Sequence, residues 1–350
     1  MFDENYENER EHSSFAMTKE IAFKAIDNYK SRVDSKEAYI VFYGGEPLLR
    51  YDFIQDIVKY AKNIFGSIVH FSFTTNGIYL TKEKIEFLKD NNFLITISLD
   101  GNEKIHNKYR LDKNNIGSFA PIMQNIEYIY NNYQEYYKKF IQINCVVNSS
   151  EDFNELNQFF STNKFVKDID IRFANQLQNT YELSSYIKKN FTKKSILVLI
   201  KSNNFKNHPL EYRYYGELIK KIKYRLLGDE AKNRKGKCIP FAKRTYIRAD
   251  GKAQFCERVE NMGLTSIDTE EMKKTADFYL KEYQDFIEKK CNSCFAYNYC
   301  EMCYASFVKN NELNKEIADI KCSNFQNEIK IAFEIYIDLM ETDEKLLEQF

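Results

Sequence analysis

The chain has 350 residues, 43% of them hydrophobic, so it is long enough to bury one large core or two smaller ones. Basic and acidic residues balance at 51 each, which removes the electrostatic reason to expect a nucleic acid or an anionic membrane as a partner. No apolar run approaches the roughly 20 residues of a membrane span, and the polar N-terminal segment is unlike a signal peptide. We therefore expect a cytoplasmic protein that binds neither membrane nor nucleic acid.

Strand and helix patterns alternate along the first half of the chain. Runs of β-branched and aromatic residues that end in turn residues predict strands at 38–43, 68–75, 93–99, 140–147 and 168–173. Segments with one apolar face predict helices at 18–33, 52–65, 119–133 and 152–162. Thr81 is the predicted N-cap of a further helix. Strands that alternate with helices predict an α/β fold with a parallel sheet.

Polar residues follow these strands at the point where each strand ends. Gly-Gly-Glu-Pro at 44–47 follows the first strand and Thr-Asn-Gly at 75–77 the second. Ser-Leu-Asp-Gly at 98–101 ends the third strand, and 144–148 ends the fourth. Because the carboxyl ends of parallel strands share the edge that carries active sites in α/β folds, the pattern predicts a ligand site there. Ordinary turns between strands and helices are the alternative, since turns also use Gly and Asn.

The cysteines are concentrated late in the chain. Seven of the eight follow position 237, and only Cys145 stands apart, inside a predicted strand where a lone cysteine is usually a small buried hydrophobe. Clustered thiols in a long intracellular chain more often bind metal than form disulfides. The spacing C-x2-C-x5-C-x2-C over 291–303, with Cys322 further on, suits an iron–sulfur cluster or zinc. Zinc ribbons normally separate their two cysteine pairs more widely.

The segment FYGGEPLL at 42–49 resembles the S-adenosylmethionine (SAM, AdoMet) motif of radical SAM enzymes. TTNG at 74–77, SLDG at 98–101 and the His106-Asn107-x-x-Arg110 segment match the same family. The chain is most similar to members with a SPASM extension, which include maturases that crosslink ribosomal peptides through thioethers and anaerobic sulfatase maturases. The resemblance implies an α/β fold: a partial (β/α)6 TIM-like barrel, then a small cysteine-rich SPASM domain and a C-terminal helix.

This resemblance also divides the chain. It implies a radical SAM core over 1–180, a helical linker over 181–232, a SPASM domain over 233–325 and a C-terminal helix over 326–350. The family's C-x3-C-x2-C motif, which binds the catalytic cluster, has no counterpart among the eight cysteines, and the family's first strand is also missing. We therefore expect a barrel without its first strand, and a chain that by itself does not cleave SAM.

The resemblance further implies which residues hold SAM. They are Gly44, Gly45, Glu46, Pro47, Thr75, Asn76, Ser98, Asp100 and Asn144. The glycines allow close backbone approach to the SAM ammonium, and Glu46 adds a carboxylate acceptor. Ser98 and Asn144 would bond the ribose or the methionine part, with strand-end capping as the alternative. We expect His106 to be a structural hydrogen-bonding residue.

The late cysteines are assigned by the resemblance to two auxiliary 4Fe–4S clusters. Cys291, Cys294, Cys300 and Cys322 would hold one, and Cys238, Cys256 and Cys303 the other. The second set is one ligand short, so we expect a non-cysteine ligand there, or an open iron that captures a substrate thiolate. Glu257 sits where sulfatase maturases carry a proton-accepting carboxylate, and a solvated surface glutamate is the alternative.

The function implied is that of a radical SAM maturase that modifies a cysteine-containing peptide or protein by a thioether or related crosslink. A flavodoxin- or ferredoxin-type protein would donate electrons. The first alternative is an anaerobic sulfatase maturase that forms formylglycine. The second is a noncatalytic protein that binds iron–sulfur clusters or zinc.

Overall fold

The computed structural model describes residues 16–32, 36–112, 114–175, 189–224, 240–241, 244–259, 262–300, 302–309 and 312–350. These residues divide into two compact units. The first, here called the sheet unit, comprises the described residues of 35–217 and 341–350. The second, here called the cysteine unit, comprises those of 16–34 and 218–340.

The sheet unit is built on one five-stranded parallel sheet, with the strands in sequence order. The strands are β1 (Ala38–Phe42), β2 (Val69–Thr75), β3 (Leu94–Ser98), β4 (Ile141–Val147) and β5 (Asp170–Asn175). Each overlaps its predicted range, and the parallel direction confirms the α/β prediction. The predicted turns therefore do meet at one edge of the sheet.

The helices connect these strands and continue into the second half of the chain. In chain order they are α1 (Lys19–Arg32), α2 (Tyr51–Phe65), α3 (Lys82–Asp90), α4 (Glu103–Tyr109), α5 (Phe119–Asn132), α6 (Gln134–Phe140), α7 (Phe153–Thr162), α8 (Lys193–Lys201), α9 (Glu217–Tyr224), α10 (Thr269–Cys291) and α11 (Lys315–Thr342). A short helix Pro209–Glu211 and a π-helix Tyr212–Gly216 lead into α9. Short 3-10 helices occur at Pro47–Arg50, Gly66–Ile68, Ser150–Asp152, Phe205–Asn207, Tyr297–Tyr299, Tyr304–Ser306 and Glu344–Gln349. Within the described part of the chain, no helix combines the length and the apolar character that crossing a bilayer requires.

Local signals explain where some helices begin. The Thr81 side chain accepts a hydrogen bond from Lys84 N at 3.4 Å, as an N-cap does, which confirms that prediction. Asn102 caps α4 in the same way, accepting from Ile105 N at 3.0 Å. Thr81 lies six positions after the last residue of β2, and Asn102 lies four after the last residue of β3, so both caps fix where a helix begins after a strand.

The two faces of the sheet differ in polarity. On one face Phe71, Phe73 and Ile143 are buried, and Phe71 stacks on Phe93 with the ring centroids 5.2 Å apart. On the opposite face Thr74 pairs with Thr96, which pairs in turn with Gln142 on β4. Side chains alternate between faces along a strand, so the register separates an apolar core from a polar surface.

The cysteine unit has its own core. Phe255, Met272, Tyr283 and Tyr304 are buried together there, with Ile21 and other residues of α1 packed against them. Two hairpins complete the unit, β6 (Tyr246–Ile247) with β7 (Ala253–Gln254) and β8 (Val308–Lys309) with β9 (Glu312–Leu313). α1 thus belongs by packing to this unit, and the predicted boundary at 325 falls inside α11. The predicted domain limits remain predictions.

Candidate functional site

One carboxylate ties the loop after β1 to the end of β2. Glu46 accepts hydrogen bonds from Leu48 N at 3.0 Å, from Thr75 Oγ1 at 2.8 Å and from Asn76 N at 2.8 Å. The same side chain caps the short helix that starts at Pro47, where a proline fits the first helical position. A carboxylate has about four acceptor positions, so Glu46 is mainly a structural clamp with little capacity left for a ligand.

The glycines beside this clamp leave the backbone accessible. Gly44 and Gly45 are both exposed, and a Cβ added to Gly44 would meet no atom within 4 Å. Exposed backbone next to open space is what an amine or carboxylate needs in order to approach carbonyl and amide groups closely. On this observation, the residues present at the end of β1 fit SAM.

The turn after β2 uses its polar side chains internally. Thr75 Oγ1 accepts from Gly77 N at 3.0 Å, and Asn76 Oδ1 accepts from Ile78 N at 3.0 Å. Gly77 has φ +79°, and a Cβ there would come within 3.0 Å of the Ile97 side chain. Thr75 and Asn76 therefore shape the loop edge of the candidate site, and the glycine is required for both conformation and space.

A buried carboxylate extends the pairing of β3 with β4. Asp100 is 2% exposed, and its Oδ1 accepts from Val146 N at 2.7 Å, beyond the point where the β3 backbone ladder stops. Arg110 donates to the other oxygen from Nε at 2.5 Å and to Oδ1 from a terminal nitrogen at 3.3 Å. Gly101 follows with φ +91° and has no room for a Cβ beside Leu156. Asp100 thus holds the strand end in place.

His106 completes this network as a neutral residue. Its Nδ1 accepts from Asp100 N at 3.1 Å, so Nε2 carries the proton and donates to Ser118 Oγ at 2.9 Å. Ser118 Oγ in turn donates to Arg110 O at 3.0 Å. Burial lowers the pKa of His106 to about 4, with a smaller contribution from the Arg110 charge. His106 is therefore the structural hydrogen-bonding residue that its sequence context predicts.

Ser98 and Asn144 are the predicted SAM residues whose side chains remain available. They are register partners on β3 and β4, and Leu99 N donates to Asn144 O at 3.0 Å. In the described residues, neither the Ser98 hydroxyl nor the Asn144 amide forms a side-chain hydrogen bond. The edge thus carries two adjacent uncommitted polar groups on a framework fixed by Glu46 and Asp100.

The predicted cluster ligands lie on loops and helix ends of the cysteine unit. Cys291 ends α10, Cys300 follows the helix Tyr297–Tyr299, Cys303 precedes the helix Tyr304–Ser306, and Cys322 lies within α11. Turn hydrogen bonds of the i to i+3 type link 291 to 294, 294 to 297 and 297 to 300. Cys238 lies outside the described residues. Cys145 is fully buried in β4, as expected of a lone strand cysteine.

The described thiols interact in two groups. Burial raises the pKa of Cys291 to about 11, and the thiolates of Cys322, Cys300 and Cys294 raise it further. Burial likewise raises the pKa of Cys256 to about 11, where the nearby thiol is Cys303. Thiols crowded in this way resist ionisation unless a cation joins them. The donor set therefore fits iron–sulfur ligation.

Tyr283 lies where the two groups meet. Burial is the main cause that raises the pKa of this phenol, and the thiolates of Cys303 and Cys291 raise it further, followed by Cys300 and Cys322. Among the described residues, no three His, Cys, Asp or Glu side chains are close enough to bind a single metal ion. A tetrahedral zinc with bonds of about 2.3 Å requires sulfurs roughly 3.8 Å apart.

Polar groups approach several of the sulfur atoms. Gln326 Nε2 donates to Cys294 Sγ at 3.3 Å, and Arg258 N donates to Cys256 Sγ at 3.3 Å. Ser306 Oγ lies 3.8 Å from Cys303 Sγ and accepts from Cys303 N at 3.2 Å. Such contacts orient ligands and adjust the electronics of a bound centre.

Glu257 is held by an ion pair. Its Oε1 lies 2.7 Å from Arg244 Nη1, and its side chain is only 17% exposed. Its other oxygen lies 3.7 Å from Cys256 Sγ. The ion pair therefore holds the Glu257 carboxylate next to a predicted cluster ligand, and its role remains a prediction.

Sequence reasoning missed two of these partners. Arg244 belongs to none of the motifs described above. It pairs with Glu257, which lies 13 residues later in the sequence. Gln326 is four residues after Cys322 on α11, so i, i+4 spacing placed it on the same helix face as a predicted ligand. That spacing was the one available signal, but it does not reveal the contact with Cys294.

Residues 5–159 match the model of the radical SAM superfamily. These residues carry a radical SAM domain. The chain is 37% identical over 161 residues to the cysteine-type anaerobic sulfatase-maturating enzyme of Clostridium novyi (strain NT), covering 45% of this chain and 42% of that protein. The chain thus aligns with less than half the length of that relative.

Two further relatives extend the homology. The cysteine-type anaerobic sulfatase-maturating enzyme of Clostridium perfringens (strain 13 / Type A) is 24% identical over 281 residues, 74% of this chain and 72% of that protein. The radical SAM cyclopropyl synthase TigE of Paramaledivibacter caminithermalis is 31% identical over 121 residues, 32% of this chain and 25% of that protein. The chain is therefore similar to enzymes with more than one named product.

The fold agrees with a solved structure over nearly its whole length. Native anSMEcpe with bound AdoMet and the Cp18Cys peptide gives a TM-score of 0.68 at 19% identity, covering 95% of this chain and 94% of that one. The complex with the Kp18Cys peptide gives 0.66 at 20% identity, covering 92% and 90%. The predicted partial barrel and cysteine-rich extension therefore match a known radical SAM fold.

Proposed function

We propose that this chain is the body of a maturase that binds SAM at the strand-end edge and modifies a cysteine-containing peptide or protein. The observation that carries the proposal is the pair Ser98 and Asn144, side by side and uncommitted, on the same edge of the sheet as the exposed backbone of Gly44 and Gly45. Within a radical SAM domain, these groups suit the polar parts of SAM.

The residues of the edge have distinct tasks in this proposal. Carbonyls of Gly44 and Gly45 accept from the SAM ammonium, and Ser98 and Asn144 bond its hydroxyl or carboxylate groups. Glu46 and Asp100 hold the loop and the strand end in position through the bonds described above. When bound, a catalytic 4Fe–4S cluster with SAM supplies a radical that abstracts hydrogen from a substrate.

The cysteine unit would hold the auxiliary clusters. Cys291, Cys294, Cys300 and Cys322 form one ligand set, and Cys256 and Cys303 with Cys238 form the other. The electrostatic grouping of the described thiols supports this division, and their spacing disfavours a preformed zinc site. Glu257, fixed by Arg244, would face the substrate as a proton acceptor or a positioning carboxylate.

Two products remain in competition. The similarity to sulfatase-maturating enzymes favours formylglycine formation, in which a cysteine loses its sulfur. A thioether crosslink keeps the sulfur and joins it to carbon with loss of hydrogen, and the incomplete ligand set of Cys256 and Cys303 favours capture of such a thiolate. We retain the crosslinking maturase and name sulfatase maturation as the second candidate.

The binding part of the proposal is tested on anaerobically reconstituted protein. We expect a brown protein with inorganic sulfide and about eight irons, and we expect SAM to bind in calorimetry. Colourless protein with stoichiometric zinc would contradict the auxiliary clusters. Absence of SAM binding would contradict the strand-end site.

The products are separated by mass spectrometry of a cysteine peptide after incubation with SAM, a reductant and a reconstituted protein in which a C-x3-C-x2-C segment precedes this chain. Loss of sulfur from the cysteine indicates formylglycine, whereas retained sulfur with loss of hydrogen indicates a thioether. A peptide with Ala in place of Cys serves as one control, and the chain without the added segment, which should leave the peptide unchanged, serves as the other. An unchanged cysteine peptide in the presence of the added segment would contradict the proposed catalysis.

A further inference from the structure

The Gln326 side chain reaches a thiol of the four-cysteine set. Gln326 Nε2 donates to Cys294 Sγ at 3.3 Å, across 32 positions of sequence. The corresponding donor to Cys256 is a backbone amide, Arg258 N at 3.3 Å. The Gln326 contact can therefore be removed by substitution without changing the backbone.

Helix geometry explains how Gln326 comes to lie there. Cys322 and Gln326 are four residues apart on α11, so their side chains occupy one face of the helix. The same face thus delivers one predicted ligand and one hydrogen-bond donor to the loop that carries Cys294. Gln326 is only half-buried, so satisfying its amide in the core is not the reason for its position.

A hydrogen bond to a cysteine sulfur affects the two redox states of a cluster differently. Reduction adds negative charge, part of which resides on the sulfurs, and an N–H dipole directed at the sulfur stabilises that charge. Hydrogen bonds to sulfur and solvent exposure are among the factors that set cluster potentials. Loss of the donor should therefore lower the potential.

We propose that Gln326 is a positioning residue for the cluster held by Cys291, Cys294, Cys300 and Cys322, and that it raises the reduction potential of that cluster. The inference rests on the proposed auxiliary cluster and deepens it. Gln326 orients the Cys294 sulfur and stabilises the reduced cluster through Nε2.

The test is a redox titration followed by electron paramagnetic resonance on the full chain. A background of Cys256→Ala with Cys303→Ala limits the signal to the cluster of interest. Gln326→Met removes the donor at similar length, and Asn327→Met is the matched control, since Asn327 is the exposed next residue of the same helix. Gln326→Ala provides a second variant without a donor.

We expect Gln326→Met to keep its iron and sulfide while its midpoint becomes more negative. At the unsubstituted midpoint, the oxidised-to-reduced ratio should rise about three- to tenfold, where tenfold corresponds to roughly 59 mV for one electron. Asn327→Met should not shift. An unchanged midpoint in a fully loaded Gln326→Met protein would overturn the inference.

Two other outcomes are distinguishable. If both Gln326 variants lose the iron of one cluster, Gln326 is needed for assembly, and the tuning role as stated is wrong. If the unsubstituted Gln326 protein carries no iron and sulfide in this background, the proposed auxiliary cluster itself fails. Iron and sulfide assays before each titration separate these results.

Discussion

The strand-end edge of the sheet unit and the thiol region of the cysteine unit are organised in opposite ways. At the sheet edge the two framework carboxylates, Glu46 and Asp100, are satisfied by the protein, and among the predicted SAM residues, all of which the structure describes, only Ser98 and Asn144 keep available side chains. Asp100 forms an ion pair with Arg110 and accepts a hydrogen bond from the Val146 amide. Glu46 accepts three hydrogen bonds. This edge is therefore formed by folding itself, and a ligand would find it ready.

The thiol region lacks such internal completion. The described cysteines are free thiols, and all except Cys145 are partly exposed. Burial and mutual repulsion raise the pKa of Cys291 and of Cys322. A metal centre would supply the missing positive charge, so the order of this region should depend on that centre. The sheet edge is therefore preorganised, whereas the thiol region would be completed by a bound metal centre.

Removing a cluster ligand should have the largest effect and should be confined to one region. We expect Cys294→Ala to lose about four irons, one cluster's content, and to lower amide protection in the cysteine unit while the sheet unit keeps its protection. Iron assay and hydrogen exchange measure both. Cys145→Ala is the control, because Cys145 is fully buried in β4. Equal iron loss in both variants would show that the ligand assignment is wrong.

The second-largest effect is expected from breaking the buried ion pair of Asp100 and Arg110 at the sheet edge. Asp100→Asn leaves the Arg110 guanidinium without its carboxylate partner and puts a neutral amide where the carboxylate accepts from the Val146 N–H. The free energy of unfolding should therefore fall by about 3 kcal/mol. Urea titration followed by circular dichroism measures the change. Glu86→Gln provides the exposed comparison, since its pair with Lys89 spans 3.5 Å at the surface and should contribute below about 0.5 kcal/mol. Equal effects would contradict a preorganised edge.

Much of this edge was predictable from sequence, because strand ends in a parallel sheet must meet. The strand order predicted that Ser98 and Asn144 lie on neighbouring strands, and the structure places them in register. Side-chain partners were not predictable. Glu46 bonds a turn 30 positions away, and nothing in the GGEP motif distinguishes a clamp from a ligand.

The cysteine unit shows more clearly which contacts could not be predicted from the sequence. An apolar helix face requires burial but does not specify what it is buried against, so α1 gave no sign that it packs with a core formed more than 200 residues later. The contacts of Arg244 with Glu257 and of Gln326 with Cys294 likewise depend on the tertiary fold. Spacing predicted which cysteines bind metal, but not which residues surround them.

A smaller effect should appear in the pH dependence of the sheet unit. Burial lowers the pKa of His106 to about 4, below its ordinary value of 6.5, so the unfolded chain binds the proton first as pH falls. Stability should therefore decrease between about pH 6.5 and 4, by up to about 3 kcal/mol. His106→Gln should flatten that slope in urea titrations at several pH values, whereas a change at the exposed His70 should not. An unchanged slope in His106→Gln would mean that other groups cause the decrease.

The smallest effect on stability is expected at the residues that would meet SAM. Neither Ser98 nor Asn144 has a side-chain hydrogen bond within the described residues, so Ser98→Ala and Asn144→Ala should change the free energy of unfolding by less than about 0.5 kcal/mol. Each should weaken SAM binding about fivefold in calorimetry, the value of one hydrogen bond of about 1 kcal/mol. Ser118→Ala is the matched control with the opposite pattern, because its hydroxyl bonds His106 and the Arg110 carbonyl. It should cost about 1 kcal/mol of stability and leave SAM affinity unchanged. If Ser98→Ala instead behaves like Ser118→Ala, Ser98 is a strand-end cap, and the available polar edge is part of the framework.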